Sequence, residues 1–157
     1  MTPGMYLAPA GITLRELVNE YCNGMSPGHQ LKAYFPGGAS GGILPASLAD
    51  IPLDFDTLQE HDCFIGSAAI IVLSNHDNVA SYAKNAMDFF AKESCGKCTP
   101  CRIGTKQASA LMSARSWDIN KLKDLAKDMT DASICELGQA APNPMKSVIA
   151  HFKEEIS

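Results

Sequence analysis

Apolar residues change their period near residue 76. Up to that point they come in short runs cut by glycine and proline. "MYLAP" (5–9), "LKAYFP" (31–36) and "AAIIVL" (68–73) each predict a strand. One helical pattern interrupts them. In "GITLRELVNEYC" (11–22), Leu14, Leu17, Val18 and Tyr21 share a face, and Thr13 and Glu16 spell a capping box. Gly24 stands where a C-terminal stop belongs. "PLDFDTLQEHDC" (52–63) predicts a short helix or turn.

Beyond residue 76 the pattern is helical throughout. "DNVASYAKNAMDFFAKES" (77–94) carries Val79, Tyr82, Ala83, Ala86, Met87, Phe89 and Phe90 in one wide stripe. "RIGTKQASALMSAR" (102–115) and "DINKLKDLAKDMT" (118–130) follow, with Asp118 placed to cap the second. "NPMKSVIAHFKEEI" (143–156) has Pro144 in its first turn. The expected architecture is α+β: a small mixed sheet crossed by one helix over residues 1–76, for which a ubiquitin-like β-grasp is the natural candidate, then an all-α bundle over 77–157.

The chemistry concentrates in "ESCGKCTPCRIGT" (93–105), where Cys95, Cys98 and Cys101 recur at every third position. A disulfide with a spare thiol, a zinc site and an iron–sulfur cluster all have to be weighed. Zinc wants four ligands around one centre, usually as two separated Cys-x-x-Cys pairs, and a third thiolate three residues on swings away from that centre. A four-iron cube suits the spacing better, because each cysteine takes a different iron. The fourth ligand must come from Cys22, Cys63 or Cys135. Cys22 and Cys63 read as small core residues of the sheet half. Cys135 sits in a glycine- and proline-rich loop of the helical half. The assignment is therefore Cys95, Cys98, Cys101 and Cys135 on one 4Fe–4S cluster, spaced C-x2-C-x2-C-x33-C. Ser94, Gly96 and Lys97 are the candidate cluster neighbours. Gly96 gives the loop its backbone freedom, and Lys97 and Arg102 bring positive charge that favours the reduced form.

Charge and composition exclude other classes. A net charge of −4 with scattered lysines and arginines lacks the basic stripe that a phosphate backbone needs. The longest apolar run, "FIGSAAIIVL" (64–73), is too short to span a bilayer. The N-terminus has no signal-peptide pattern, which together with clustered thiols points to the cytoplasm. "PGGASGGILP" (36–45) spells neither G-x-G-x-x-G nor a phosphate loop, so it reads as a connection within the sheet half. His29, His61, His76 and His151 lie apart, and no catalytic constellation is visible.

"ESCGKCTPCRIGT" with the later "SICELGQAAPNP" resembles the C-terminal part of NADH-binding flavoprotein subunits. These include the flavoprotein subunit of respiratory complex I, diaphorase subunits of NAD-linked hydrogenases, and β-subunits of NAD-dependent molybdenum formate dehydrogenases. "GITLRELVNEYCNGM", "KAYFPGGASGGILPA" and "CFIGSAAIIVL" look like the soluble-ligand-binding β-grasp (SLBB) domain that precedes the cluster domain there. "GGASGGILPASLADIPLDFDTL" with "DASICELGQAAPNP" is most similar to the formate dehydrogenase β-subunits. The resemblance implies that the four cysteines hold a cluster relaying electrons between FMN and other iron–sulfur centres. It also implies a flavin- and NAD-binding region as neighbour, further iron–sulfur subunits, and a molybdenum catalytic subunit as partner. Nothing in these 157 residues matches the usual FMN and NADH site, so FMN and NAD belong to the assembly and this chain alone is expected to be inactive.

Overall fold

The capping box forms as the sequence spells it. Thr13 accepts from the Glu16 backbone N–H at 3.2 Å, and the Glu16 carboxylate accepts from the Thr13 N–H at 2.9 Å. It opens α1 (Leu14–Glu16), which continues as a π-helical turn over Leu17–Tyr21. There Cys22 N–H donates five residues back, to Leu17 O at 3.2 Å. The predicted helix over 11–22 is thus present but half of it is widened. Three strands follow, β1 (Leu31–Phe35), β2 (Leu44–Pro45) and, after α2 (Phe55–Gln59), β3 (Ile71–Ser74). They form one antiparallel sheet in the order β2-β1-β3.

Two expectations fail in this half. Residues 5–9 form no strand, and the sheet is antiparallel rather than mixed. Met5 and Leu7 are almost fully exposed, and Pro3 and Pro9 have no N–H for a ladder. The segment is held instead by Thr2 N–H on Cys22 O at 2.8 Å and by an edge-to-face pair, Tyr6 with Tyr21. The core beneath the sheet is Leu14, Val18, Tyr34, Leu44, Leu53, Leu58 and Cys63. Tyr34 is fully buried and donates its hydroxyl to Leu48 O at 2.9 Å, which satisfies the one polar atom the ring brings in.

The computed structural model describes all 157 residues, and they divide into two units, Met1–Asp77 and Asn78–Ser157. No helix is long and apolar enough to cross a membrane. A cavity in the first unit, about 780 Å³, is lined by Tyr6, Ile12, Leu17, Cys22, Ile65 and Val72 among others, and not by the glycine-rich loop.

The second unit is helical: α3 (Val79–Glu93), α4 (Thr99–Met112), α5 (Ile119–Ala132), α6 (Glu136–Ala140) and α7 (Asn143–His151). Asn78 caps α3 and Asp118 caps α5, each side chain accepting from the backbone N–H three residues on. Val79, Ala83, Met87 and Phe90 of α3 are buried, as are Ala108 and Met112 of α4, Leu122 and Met129 of α5, and Met145 and Val148 of α7. Each fully buried large apolar side chain of this kind contributes about 1.5–3 kcal/mol. A polar tie joins α3 to α4: Asp88 accepts from Lys84 at 2.7 Å and from the Ser109 hydroxyl. Both donors hold the Asp88 carboxyl below its ordinary range. The helix predicted over 102–115 starts three residues earlier, inside the cysteine segment, with Pro100 in its first turn. The helix predicted over 143–156 ends at His151 and gives way to a 3-10 turn at Lys153–Glu155.

Candidate metal centre

α3 ends at Glu93 and α4 begins at Thr99, so the cysteine segment is a tight link between antiparallel neighbours. Gly96 makes the reversal with φ +76°, a left-handed conformation that a side chain resists. Arg102 reaches back one turn and donates to Gly96 O at 2.9 Å, so its guanidinium lies against the loop. Lys97 is exposed. Cys98 is the N-cap residue of α4, and Cys101 lies in its first turn. Cys95 is exposed, Cys98 half-buried and Cys101 buried at 4% exposure.

Cys135 reaches the same place from the other direction. α5 runs back along α4 and ends at Ala132, and Cys135 then becomes the N-cap residue of α6. The sequence alone places Cys135 in a plain loop and misses α6, because Gly138 looks like a helix breaker. Its reason is contact. A Cβ on Gly138 would lie 2.5 Å from Ser133 Oγ and 2.8 Å from Cys101 Cβ. Only a bare backbone lets α6 press this close to the start of α4. The available signal is a glycine inside an otherwise helical stretch, which costs about 1 kcal/mol against alanine and asks for a packing reason.

The two segments meet electrostatically as well as sterically. Backbone N–H groups of Ile134 and Cys101 hold the Cys98 thiol below the ordinary range, with the Ser133 hydroxyl and the Cys98 N–H adding to them. Burial pushes the Cys101 thiol up, Ser94 opposes that, and the nearby Cys98, Cys135 and Cys95 sulfurs add to the rise. Ser94 Oγ stands 3.3 Å from Cys101 Sγ and receives Gly96 N–H at 3.4 Å. Ser133 is 6% exposed, and its Oγ makes no hydrogen bond of ordinary geometry, although it lies near the Cys98 sulfur. Cys63 and Cys22 take no part: Cys63 is in the core of the first unit and Cys22 lines its cavity.

No group of three or more Cys, His, Asp or Glu side chains converges on the volume of a single metal ion. The donor set nevertheless suits a larger group. Thiols, convergent amides and an orphaned buried hydroxyl are what sulfur-bound iron asks of its surroundings. The Gly138 contact gives a first expected outcome. Gly138→Ala should destabilise the helical unit by about 1–3 kcal/mol. The Gly104→Ala collision, 2.6 Å from Met129 Cγ, should cost less because a methionine side chain can swing aside. Thermal melts of the two variants measure the difference.

A sheet unit is thus followed by a helical unit that carries the thiol segment. Residues 81–157 match the NADH-ubiquinone oxidoreductase-F iron-sulfur binding region and so form a 4Fe–4S binding region of that family. The chain is 35% identical to the second F-type NADH-quinone oxidoreductase subunit of Rhizobium meliloti (strain 1021), over 98% of its own length and 38% of the relative's. It is 39% identical to the F-type NADH-quinone oxidoreductase subunit of Mycobacterium tuberculosis (strain ATCC 25618 / H37Rv), over 98% and 36%. Against the HndC subunit of the NADP-reducing hydrogenase of Solidesulfovibrio fructosivorans the identity is 35%, over 97% and 32%. A solved NAD+-reducing [NiFe]-hydrogenase in the H2-reduced state superposes with a TM-score of 0.84 at 29% identity, covering 99% of this chain and 27% of that one. The chain thus spans little more than a third of the curated relatives it matches.

Proposed function

We propose that this chain is an electron-relay region of an NADH-oxidising flavoprotein subunit, and that Cys95, Cys98, Cys101 and Cys135 hold its cluster. The observation that carries the reading is the meeting of the α3–α4 thiol segment with the Cys135 segment, where Gly138 of α6 lies so close that a Cβ on it would stand 2.8 Å from Cys101 Cβ. A four-iron cluster, when bound, passes one electron at a time. Cys98 and Cys101 would hold it from the first turn of α4, and the exposed Cys95 and Cys135 would supply the other two thiolates. Gly96 and Arg102 hold the loop's reversal, and Arg102 brings a positive charge that favours added negative charge nearby.

FMN and NAD would be supplied by a flavin-bearing region or partner polypeptide, with further iron–sulfur subunits beyond. A cytoplasmic setting, where clustered thiols stay reduced, is the one proposed. The donor proposed is a nicotinamide nucleotide, in a complex I-type enzyme or in the diaphorase part of an NAD-linked hydrogenase. The likenesses to quinone-oxidoreductase and hydrogenase subunits support both. The narrower reading as a β-subunit partnering a molybdenum formate dehydrogenase rests on the loop sequence at 37–58 and on "DASICELGQAAPNP" alone. None of the relatives named above carries it.

The test is a reconstitution. The cluster-loaded chain alone should show no NADH–ferricyanide activity, because hydride transfer needs a two-electron cofactor. Adding the flavin-bearing region should restore dye reduction and NADH-dependent reduction of the cluster. Activity from the 157 residues alone, with stoichiometric FMN, would overturn the reading.

A further inference from the structure

We propose that Ser94 and Ser133 are paired hydroxyl donors that raise the reduction potential of the cluster, Ser94 through the Cys101 sulfur and Ser133 through the Cys98 sulfur. The inference rests on the ligand reading above and adds a function for two serines that bind no metal.

Consider Ser94 first. Its Oγ accepts Gly96 N–H at 3.4 Å and lies 3.3 Å from Cys101 Sγ. A thiol could donate across that gap, but a ligating thiolate has no proton left. In the loaded protein the contact can only run from the serine O–H to sulfur. Gly96 N–H occupies a lone pair of the same oxygen and orients it. Cys101 is buried, so water does not substitute for this donor.

Ser133 presents the complementary case. A buried hydroxyl without a partner costs about 1–3 kcal/mol and asks for an explanation. Ser133 is only 6% exposed, and its Oγ lacks a hydrogen bond of ordinary geometry. The bare Gly138 backbone stands against it, leaving no room for even a methyl group at 2.5 Å. The fold therefore preserves space for this oxygen rather than filling it. The Ser133 Oγ lies near the Cys98 sulfur, which also receives the backbone N–H groups of Ile134, Cys101 and Cys98 itself.

Hydrogen bonds to a thiolate favour the state with more negative charge, which is the reduced one. Cys101 has the Ser94 hydroxyl at 3.3 Å and Cys98 has the unpartnered Ser133 hydroxyl nearby, while Cys95 and Cys135 are exposed.

The experiment is an anaerobic redox titration of the reconstituted chain, followed by the paramagnetic signal of the reduced cluster. Ser94→Ala and Ser133→Ala should each lower the reduced-to-oxidised ratio at a fixed potential by about tenfold, which is 59 mV for a one-electron couple. The double variant should lower it further, Ser94→Thr should restore the unaltered value, and Ser113→Ala in the turn after α4 should not move it. Iron and sulfide are counted in every sample. Variants that hold full iron with unchanged potential overturn the inference and leave the ligand reading intact. Variants that fail to hold iron also overturn it, because the serines would then be structural. Unaltered protein that takes up no iron would instead bring down the ligand reading.

Discussion

Cys135→Ser is expected to strip the protein of its cluster, while Cys63→Ala leaves about four irons and four sulfides per chain after anaerobic reconstitution. Both residues are single cysteines far from the thiol segment in sequence, and the fold separates them. Cys135 caps α6 immediately beside the start of α4, and its sulfur is felt by Cys101. Cys63 is 2% exposed and packs with Leu14, Tyr34 and Leu58 in the other unit. Removing Cys135 leaves three thiols on one loop and opens the exposed side, so iron content should fall and the broad visible absorption bleach. Removing the Cys63 sulfur should cost only the packing of one small side chain. A melt of Cys63→Ala alongside the iron count separates the two effects. Iron lost from Cys63→Ala and retained by Cys135→Ser would refute the ligand assignment.

Gly37→Ala is expected to destabilise the sheet unit by about 3 kcal/mol or more, with no direct effect on iron binding. A Cβ there would lie 2.3 Å from Phe64 O and 2.4 Å from the Ile65 carbonyl carbon and oxygen. These are backbone atoms and cannot step aside as a side chain can. They are also anchored: Phe64 N–H donates to Gly41 O at 3.2 Å and Gly38 N–H to Ala69 O at 2.8 Å. The glycine-rich loop is thus a backbone-on-backbone clasp between β1 and the segment leading to β3. This accounts for its composition without a nucleotide. Hydrogen exchange should show protection lost across β1 and β3 while the helices of the other unit keep theirs.

Much of this is readable because it depends on local chemistry. Asn78 and Asp118 cap helices by side-chain reach to the third residue on, and Thr13 and Glu16 cap each other; none of these needs a distant partner. The apolar stripe of α3 is periodic over four turns, long enough to be unambiguous. Strand pairing is different. "MYLAP" carries an apolar run as good as that of β3, but a strand exists only where a ladder partner stands, and none is offered to residues 5–9. The π turn at 17–21 shows in no propensity. At the candidate centre the thiol spacing is legible, and Ser94 can be named as an adjacent residue. Ser133 and Gly138 cannot, because their importance comes from α6 being pressed against α4. That is a contact between segments more than thirty residues apart, and it leaves no periodic trace.

Under the proposed ligand set, the uneven depth of the four thiols bears on biogenesis. Cys101 is sealed in the first turn of α4, yet Cys95 and Cys135 remain open to solvent. The 33 residues between Cys101 and Cys135 are spanned by an antiparallel α4–α5 hairpin, which leaves little free loop to close when the two thiols come together. A maturation carrier could therefore exchange thiolates at the outer rim, through Cys95 and Cys135, without prying the helices apart. The same rim is where dioxygen and chelators gain entry, so the face that makes delivery easy is also where decay begins.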